Sequence, residues 1–318
     1  MKKILITGAS GFAGGYLAEH LLEKEGYEIF GTYLTEESKD TSPVKDKITF
    51  LQADLNKREV VINLIHEVKP DELYHLAAMA SVGASFKDPI GIFHNNIDTQ
   101  IFLLESLKNE ELLNTRVLII SSAEVYGFVQ PEDLPIDEST PLRPGNPYAV
   151  SKIAQDFLAY QYFVTTKMPI IRVRPFNHTG PRQPLGFVLP DLAHQIAEIE
   201  KGKQERIIRV GNLEAKRDFT DVRDMVKAYS LILDKGVVGE VYNIGSGVSY
   251  TISEILHMLL GMTTMNIEIE IDEKKARPSD IPEIRSNNTK IKTLTGWEPQ
   301  ITLEKTLKDT LDYWRKIV

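Results

Sequence analysis

The chain has 318 residues, 42% hydrophobic and 26% charged, a composition that suits a globular protein with a sizeable core. Its net charge of -8 argues against a nucleic acid or an anionic membrane surface as partner of the whole molecule, and the absence of cysteine excludes disulfides and thiolate metal sites. Met1-Lys-Lys leads into an apolar run, Ile4-Leu-Ile6, that is too short for a signal-peptide core, and no long apolar run follows. The expectation is a cytoplasmic protein with no membrane span.

Short apolar runs alternate with helical patterns through the first half. Strands are expected at Lys3–Thr7, Glu28–Thr32, Ile48–Ala53, Glu72–Leu76, Arg116–Ser121 and Pro169–Arg174, with helices at Phe12–Glu23, Arg58–Val68, Pro89–Lys108 and Pro147–Thr166. With right-handed crossovers this alternation predicts an α/β fold, a Rossmann-type doubly wound parallel sheet. The regularity then lapses. Pro175–Pro190 and Arg277–Pro282 read as loops, and helical patterns at Phe187–Glu200, Val222–Leu233, Thr251–Leu260 and Leu303–Lys316 form a smaller substrate-binding domain. The expected division is a dinucleotide-binding domain over 1–174, with returning segments near 218–246 and 286–300, and a mainly substrate-binding domain over 175–318.

The first strand runs into Gly8-Ala-Ser-Gly11-Phe12-Ala-Gly14, glycines three apart where a strand turns into a helix. Such a turn lets backbone approach a pyrophosphate at a helix N-terminus. After the second strand, Gly31-Thr32-Tyr33-Leu34 offers neither an acid for a ribose 2′-hydroxyl nor an arginine for a 2′-phosphate. The missing acid leans the expectation to NADP(H), with NAD(H) as the alternative. Asp54-Leu55 and Leu76-Ala77-Ala78 follow the third and fourth strands and would flank adenine and ribose, although Asp54 suits a helix N-cap equally well.

Tyr148 and Lys152 are four apart behind Pro147, so they share one face of a helix that starts there. A free tyrosine has a pKa of about 10, and lowering it to about 7 takes roughly 4 kcal/mol, which a neighbouring ammonium and an oxidised nicotinamide could supply. Tyr148 is then the proton donor or acceptor, with Lys152 setting its pKa and holding the nicotinamide ribose. Ser122, just past an apolar strand, is the hydroxyl that would hold a substrate carbonyl, ahead of Ser121. Glu124 is open between a general base, a sugar-hydroxyl ligand and a plain loop carboxylate.

These stretches, with Asn177-His178-Thr-Gly180-Pro181, Arg217-Asp-Phe-Thr-Asp221-Val-Arg223-Asp224 and Arg277-Pro-Ser-Asp280, resemble the extended short-chain dehydrogenase family of nucleotide-sugar enzymes over the whole chain. The resemblance is strongest to the branch that reduces the 4-keto group of GDP-4-keto-6-deoxy-D-mannose, and it implies GDP-D-rhamnose as product. A GDP-mannose 4,6-dehydratase is the alternative, kept by Glu124. Against it, Phe187-Val188-Leu189 lacks the basic residues that follow in dehydratases, and Ala123 replaces an aspartate found in dTDP-glucose dehydratases. The resemblance further implies that Asn177, Arg217, Arg277 and Asp280 bind the nucleotide sugar. It aligns Asn96 with a cofactor-side position, although Asn96-Ile-Asp98-Thr99-Gln100 departs from the family's usual Gly-Thr. It also implies a homodimer through the helices of Pro89–Lys108 and Tyr148–Thr166. A cofactor-binding regulator without catalysis is the remaining class, disfavoured by the intact Ser122, Tyr148 and Lys152.

Overall fold

The computed structural model describes residues 1–272 and 281–318. β1 (Lys2–Thr7), α1 (Phe12–Leu22), β2 (Tyr27–Tyr33), α2 (Glu36–Asp40), β3 (Thr49–Gln52), α3 (Arg58–Val68) and β4 (Glu72–His75) alternate as the apolar runs require. Two short helices, α4 (Val82–Lys87) and α5 (Pro89–Phe93), lead through a wide π-type turn at His94–Asp98 into α6 (Thr99–Asn109). Then come β5 (Arg116–Ile120), α7 (Pro147–Thr166) and β6 (Ile170–Pro175).

The chain continues through β7 (Asn177–Thr179), α8 (Val188–Glu200), β8 (Ile207–Val210), β9 (Lys216–Asp221) and α9 (Val222–Lys235) to β10 (Val241–Ile244). β10 returns to the first sheet, whose order is β10-β6-β5-β4-β1-β2-β3, parallel throughout. Helices cover both faces, so Ile4, Leu5, Ile6, Leu73, Val117 and Ile171 are all buried and the strands read as unbroken apolar runs. One face packs against α1 and α9, the other against α3, α6 and α7.

β11 (Ser249–Thr251), α10 (Ile252–Leu260), β12 (Glu268–Ile271), β13 (Glu283–Ile284), α11 (Thr289–Thr295) and α12 (Leu303–Ile317) complete the described chain. β11, β13 and β7 pair with β9, and a separate core of α8, α10 and α12 packs beside them. No described helix is long and apolar enough to cross a membrane.

Two expectations change. Pro89–Lys108 is not one helix, because the π-type turn interrupts it and buries Asn96 completely. The Asn96 amide accepts from the Met79 N–H at 2.8 Å and donates to the Met79 carbonyl and, at 3.0 Å, to Ser151 Oγ on α7. One turn on, Gln100 Nε2 donates to the Gln155 carbonyl of α7 at 2.8 Å. A widened turn is thus held open by polar bonds to a neighbouring helix. Pro175–Pro190 is also not all loop: Asn177, His178 and Thr179 pair with Phe219, Thr220 and Asp221. A three-residue strand carries too little periodicity to be seen among prolines and glycines.

Candidate active site

The glycine turn is shaped by close approach. Gly8 has φ +72°, and a Cβ there would sit 3.0 Å from the Ala77 backbone. A Cβ on Gly14 would lie 2.1 Å from the Gly8 carbonyl oxygen, so α1 can pack on the turn only without one. Gly11 is the N-cap and brings no side chain, which leaves the first N–H groups of α1 without a side-chain acceptor. They open on a cleft of about 720 Å³ that runs from Thr32, Tyr33 and Asp54 past Ala77 to Ser122, Tyr148 and Asn177. An uncapped helix start in a cleft of this length fits the pyrophosphate of a nicotinamide dinucleotide.

At the adenosine end, Tyr33 donates to Glu36 at 2.7 Å, and Lys39 pairs with Glu36 and lies over the Tyr33 ring at 5.2 Å. Asp54 lines the cleft while its Oδ1 accepts from the Asn56 N–H at 3.2 Å. Gly8, Gly11, Phe12, Gly14, Leu55, Leu76, Ala77 and Ala78 line the same wall. Asn96 does not. Its amide is fully engaged with Met79 and Ser151 behind the wall, so it shapes the Met79 loop and is corrected from ligand contact to support.

Asn146 caps α7, its Oδ1 accepting from the Ala149 N–H at 2.8 Å, with Pro147 in the first turn. This sets Tyr148 and Lys152 on the buried face toward the cleft. The same Asn146 donates through Nδ2 to Glu124 at 3.1 Å, so one side chain starts the helix and aims the carboxylate. Ser122 caps the short turn after β5, accepting from the Glu124 N–H at 3.2 Å. The hydroxyl of Ser121 instead turns back to the Lys152 carbonyl at 3.2 Å.

Burial pushes the Tyr148 phenol up to about 12, against a bond with Ser122 that lowers it and the Glu124 charge that raises it. Burial takes the Lys152 ammonium down to about 7, with Asp156 acting to raise it. Lys152 Nζ donates to Gln155 Oε1 at 2.6 Å. Asp156 is itself held by Arg172 at 2.7 Å and Arg174 at 2.8 Å. Among the described residues Ser122 and Glu124 act on Tyr148, while the lysine faces the Gln155 amide. A phenol protonated at neutral pH is the form that can give a proton to a carbonyl oxygen.

Ser122, Glu124, Tyr148, Lys152 and Asn177 share the cleft with the glycine turn. Arg217 does not line it; its Nη1 donates to the Ile281 carbonyl at 2.7 Å. Arg277 and Asp280 lie outside the described residues. His178 lines the cleft and stacks on Phe12 with the rings 6.2 Å apart and 3° from parallel, and burial lowers its pKa. His75 is buried and bonded to Thr7 at 2.9 Å. Sequence reasoning missed Tyr229, which lines the cleft with a buried hydroxyl that has no partner. It lies in an amphipathic stretch of α9 that carries a core signal and no other.

Residues 5–310 match the family described as GDP-mannose 4,6 dehydratase. The GDP-6-deoxy-D-mannose reductase of Pseudomonas aeruginosa is 32% identical over 317 residues, covering 100% of this chain and 98% of that protein. The GDP-mannose 4,6 dehydratase 1 of Arabidopsis thaliana is 29% identical, covering 98% and 89%. Among solved structures, RMD from Pseudomonas aeruginosa complexed with NADPH superposes with a TM-score of 0.86 at 32% identity over all of both chains. The Thermus thermophilus UDP-glucose 4-epimerase complex with NAD gives 0.86 at 26%, covering 99% and 100%.

Proposed function

The chain belongs to the GDP-mannose 4,6 dehydratase family, and from that premise we propose that it is an NADPH-dependent reductase of the 4-keto group of GDP-4-keto-6-deoxy-D-mannose, yielding GDP-D-rhamnose. NAD(H) is the alternative cofactor. The observation that carries the reading is a buried Tyr148 beside Ser122 in the cleft that starts at the uncapped α1. Bound in that cleft, NADPH supplies the hydride. Tyr148 gives its proton to the C4 oxygen, and Ser122 donates to the same oxygen and fixes its position. The Lys152 ammonium offsets the negative charge left on the Tyr148 phenolate.

A dehydratase must also expel a hydroxyl as water, which calls for an acid beside the base. Ala123 is apolar and Glu124 is the carboxylate of the Ser122–Tyr126 turn, held by the Asn146 amide. We assign Glu124 to a sugar hydroxyl and Asn177 to the nucleoside diphosphate, and place Arg217, Arg277 and Asp280 there on the sequence resemblance, Arg217 having to turn from the Ile281 carbonyl to reach it. Residues 1–174, with the returns near 218–246 and 286–300, are read as the cofactor side and the remainder as the sugar side. The reaction is assigned to the cytoplasm, where both small molecules are at hand.

With purified protein, GDP-4-keto-6-deoxy-D-mannose and NADPH, absorbance at 340 nm is expected to fall as GDP-D-rhamnose forms. GDP-mannose with oxidised cofactor should give no keto sugar. Keto product from GDP-mannose, without consumption of NADPH in the first assay, would establish the dehydratase instead.

The protein is also read as a homodimer. Val150, Phe157, Tyr160 and Val164 form an exposed apolar stripe along α7, and Phe86 and Ile90 are exposed on the neighbouring short helices. A stripe of this kind on a helix whose other face is core marks a protein contact. Phe157→Glu should halve the apparent mass in light scattering and weaken self-association about 100-fold, since a charge would be buried at an apolar contact. A wild-type chain already monomeric at micromolar concentration would end this reading.

A further inference from the structure

We propose that Gln155 is a positioning residue that docks the Lys152 ammonium and competes for it with a dinucleotide entering the cleft. The inference rests on the cofactor assignment above but concerns a contact that the assignment does not use. Both side chains are buried, one turn apart on the same helix face, and joined at 2.6 Å.

What distinguishes this glutamine from a core polar residue is its unused half. Gln155 Nε2 is a buried donor with no acceptor among the described residues. Buried amides kept for the fold ordinarily have both ends bonded. The Gln155 side chain therefore has one described bond, and that bond is to the lysine. Gln100, which already holds the Gln155 main chain, carries a buried Oε1 with no donor. A free donor and a free acceptor on two residues in contact give the amide somewhere to turn once the lysine leaves.

The surroundings leave few competing partners. His75 on β4 is kept neutral by burial and bonded to Thr7. Asp156, one turn past Lys152 on the same face of α7, acts to raise the lysine pKa but is itself bonded to both Arg172 and Arg174 of β6. Ser121, just past β5, donates to the Lys152 carbonyl and so does not reach the ammonium through that bond. Tyr148, Glu124 and Tyr229 face the cleft itself. Among the described residues Gln155 is the side chain bonded to the ammonium.

Two variants of opposite sign test this. Gln155→Glu turns the dock into an ion pair and removes no hydrogen bond of the fold, since Nε2 has none; Gln155→Met keeps the volume and deletes the acceptor. In the protein without cofactor, the titration of Lys152 is read by competitive amine acylation and peptide mass spectrometry. Glu should raise the lysine pKa by about one unit or more and Met should lower it. NADPH affinity, read by nucleotide fluorescence without substrate, should weaken about 10-fold in Gln155→Glu and stay within about threefold in Gln155→Met. Thermal melts establish that both variants are folded. Equal dinucleotide affinity in the two, or a Lys152 titration unmoved by either, overturns the proposal. If the wild-type protein binds no dinucleotide, the cofactor assignment fails, and the acylation experiment still decides whether Gln155 docks the lysine.

Discussion

Tyr148→Phe should lower kcat for keto-sugar reduction by about 1,000-fold while leaving NADPH affinity and the melting temperature nearly unchanged, as expected when one positioned proton donor is removed. The phenol is buried on the inner face of α7, and its nearest interacting groups are a hydroxyl and a carboxylate. Neither substitutes for it: a serine hydroxyl is far too weak an acid, and Glu124 is held as an acceptor by Asn146. With its pKa pushed up to about 12, the phenol stays protonated through neutral pH, so reduction in wild type should not decline between pH 6 and 8 from loss of this acid. The measurement is the steady-state rate at 340 nm with saturating NADPH across that range. A variant within tenfold of wild type would mean that another group protonates the oxygen.

Lys152→Met should abolish turnover and, at the same time, stabilise the ligand-free protein. A lysine brought from 10.5 to about 7 by burial costs the folded state about 5 kcal/mol wherever both folded and unfolded chains carry the proton. The sign follows from the depressed value. The cost is full below pH 7, shrinks as the folded-state lysine gives up its proton above that, and is gone above pH 10.5, where both states are neutral. Wild-type stability from this group therefore rises with pH across that window, and the advantage of methionine is largest at pH 6. Methionine has a similar length and no charge to desolvate, so Tm should rise by several degrees at pH 6 and the two proteins should converge toward pH 10. Equal Tm values at pH 6 would mean that the ammonium is better solvated than its buried position indicates.

The sheet and the catalytic helix were legible because each depends on strong local signals. Six apolar runs with glycine or polar ends became strands within a residue or two, and Pro147 marked the start of α7. What was not legible depends on contacts between distant residues. Nothing near Asn96 or Gln100 in sequence announces that their amides bond Ser151 and Gln155, 55 residues away, and so break a helix. β7 has meaning only beside β9. Within the site, spacing put Tyr148 and Lys152 on one face, yet it could not tell that the lysine meets Gln155 rather than the phenol. Side-chain rotamers inside a buried face are chosen by competing acceptors, and no periodicity records that choice. Tyr229 escaped for a similar reason, since a cleft wall and a core look alike along an amphipathic helix.

The last strand of the central sheet, β10, arrives only after β7, β8 and β9 have been laid down elsewhere. During synthesis the ribosome therefore releases β6 with a bare hydrogen-bonding edge, and with Ile171 and Val173 uncovered until α9 emerges about fifty residues later. A nascent chain paused or cut after residue 175 carries a sticky rim, and fragments ending there should aggregate rather than bind nucleotide. The two halves of the molecule must be made together to be soluble apart from chaperones.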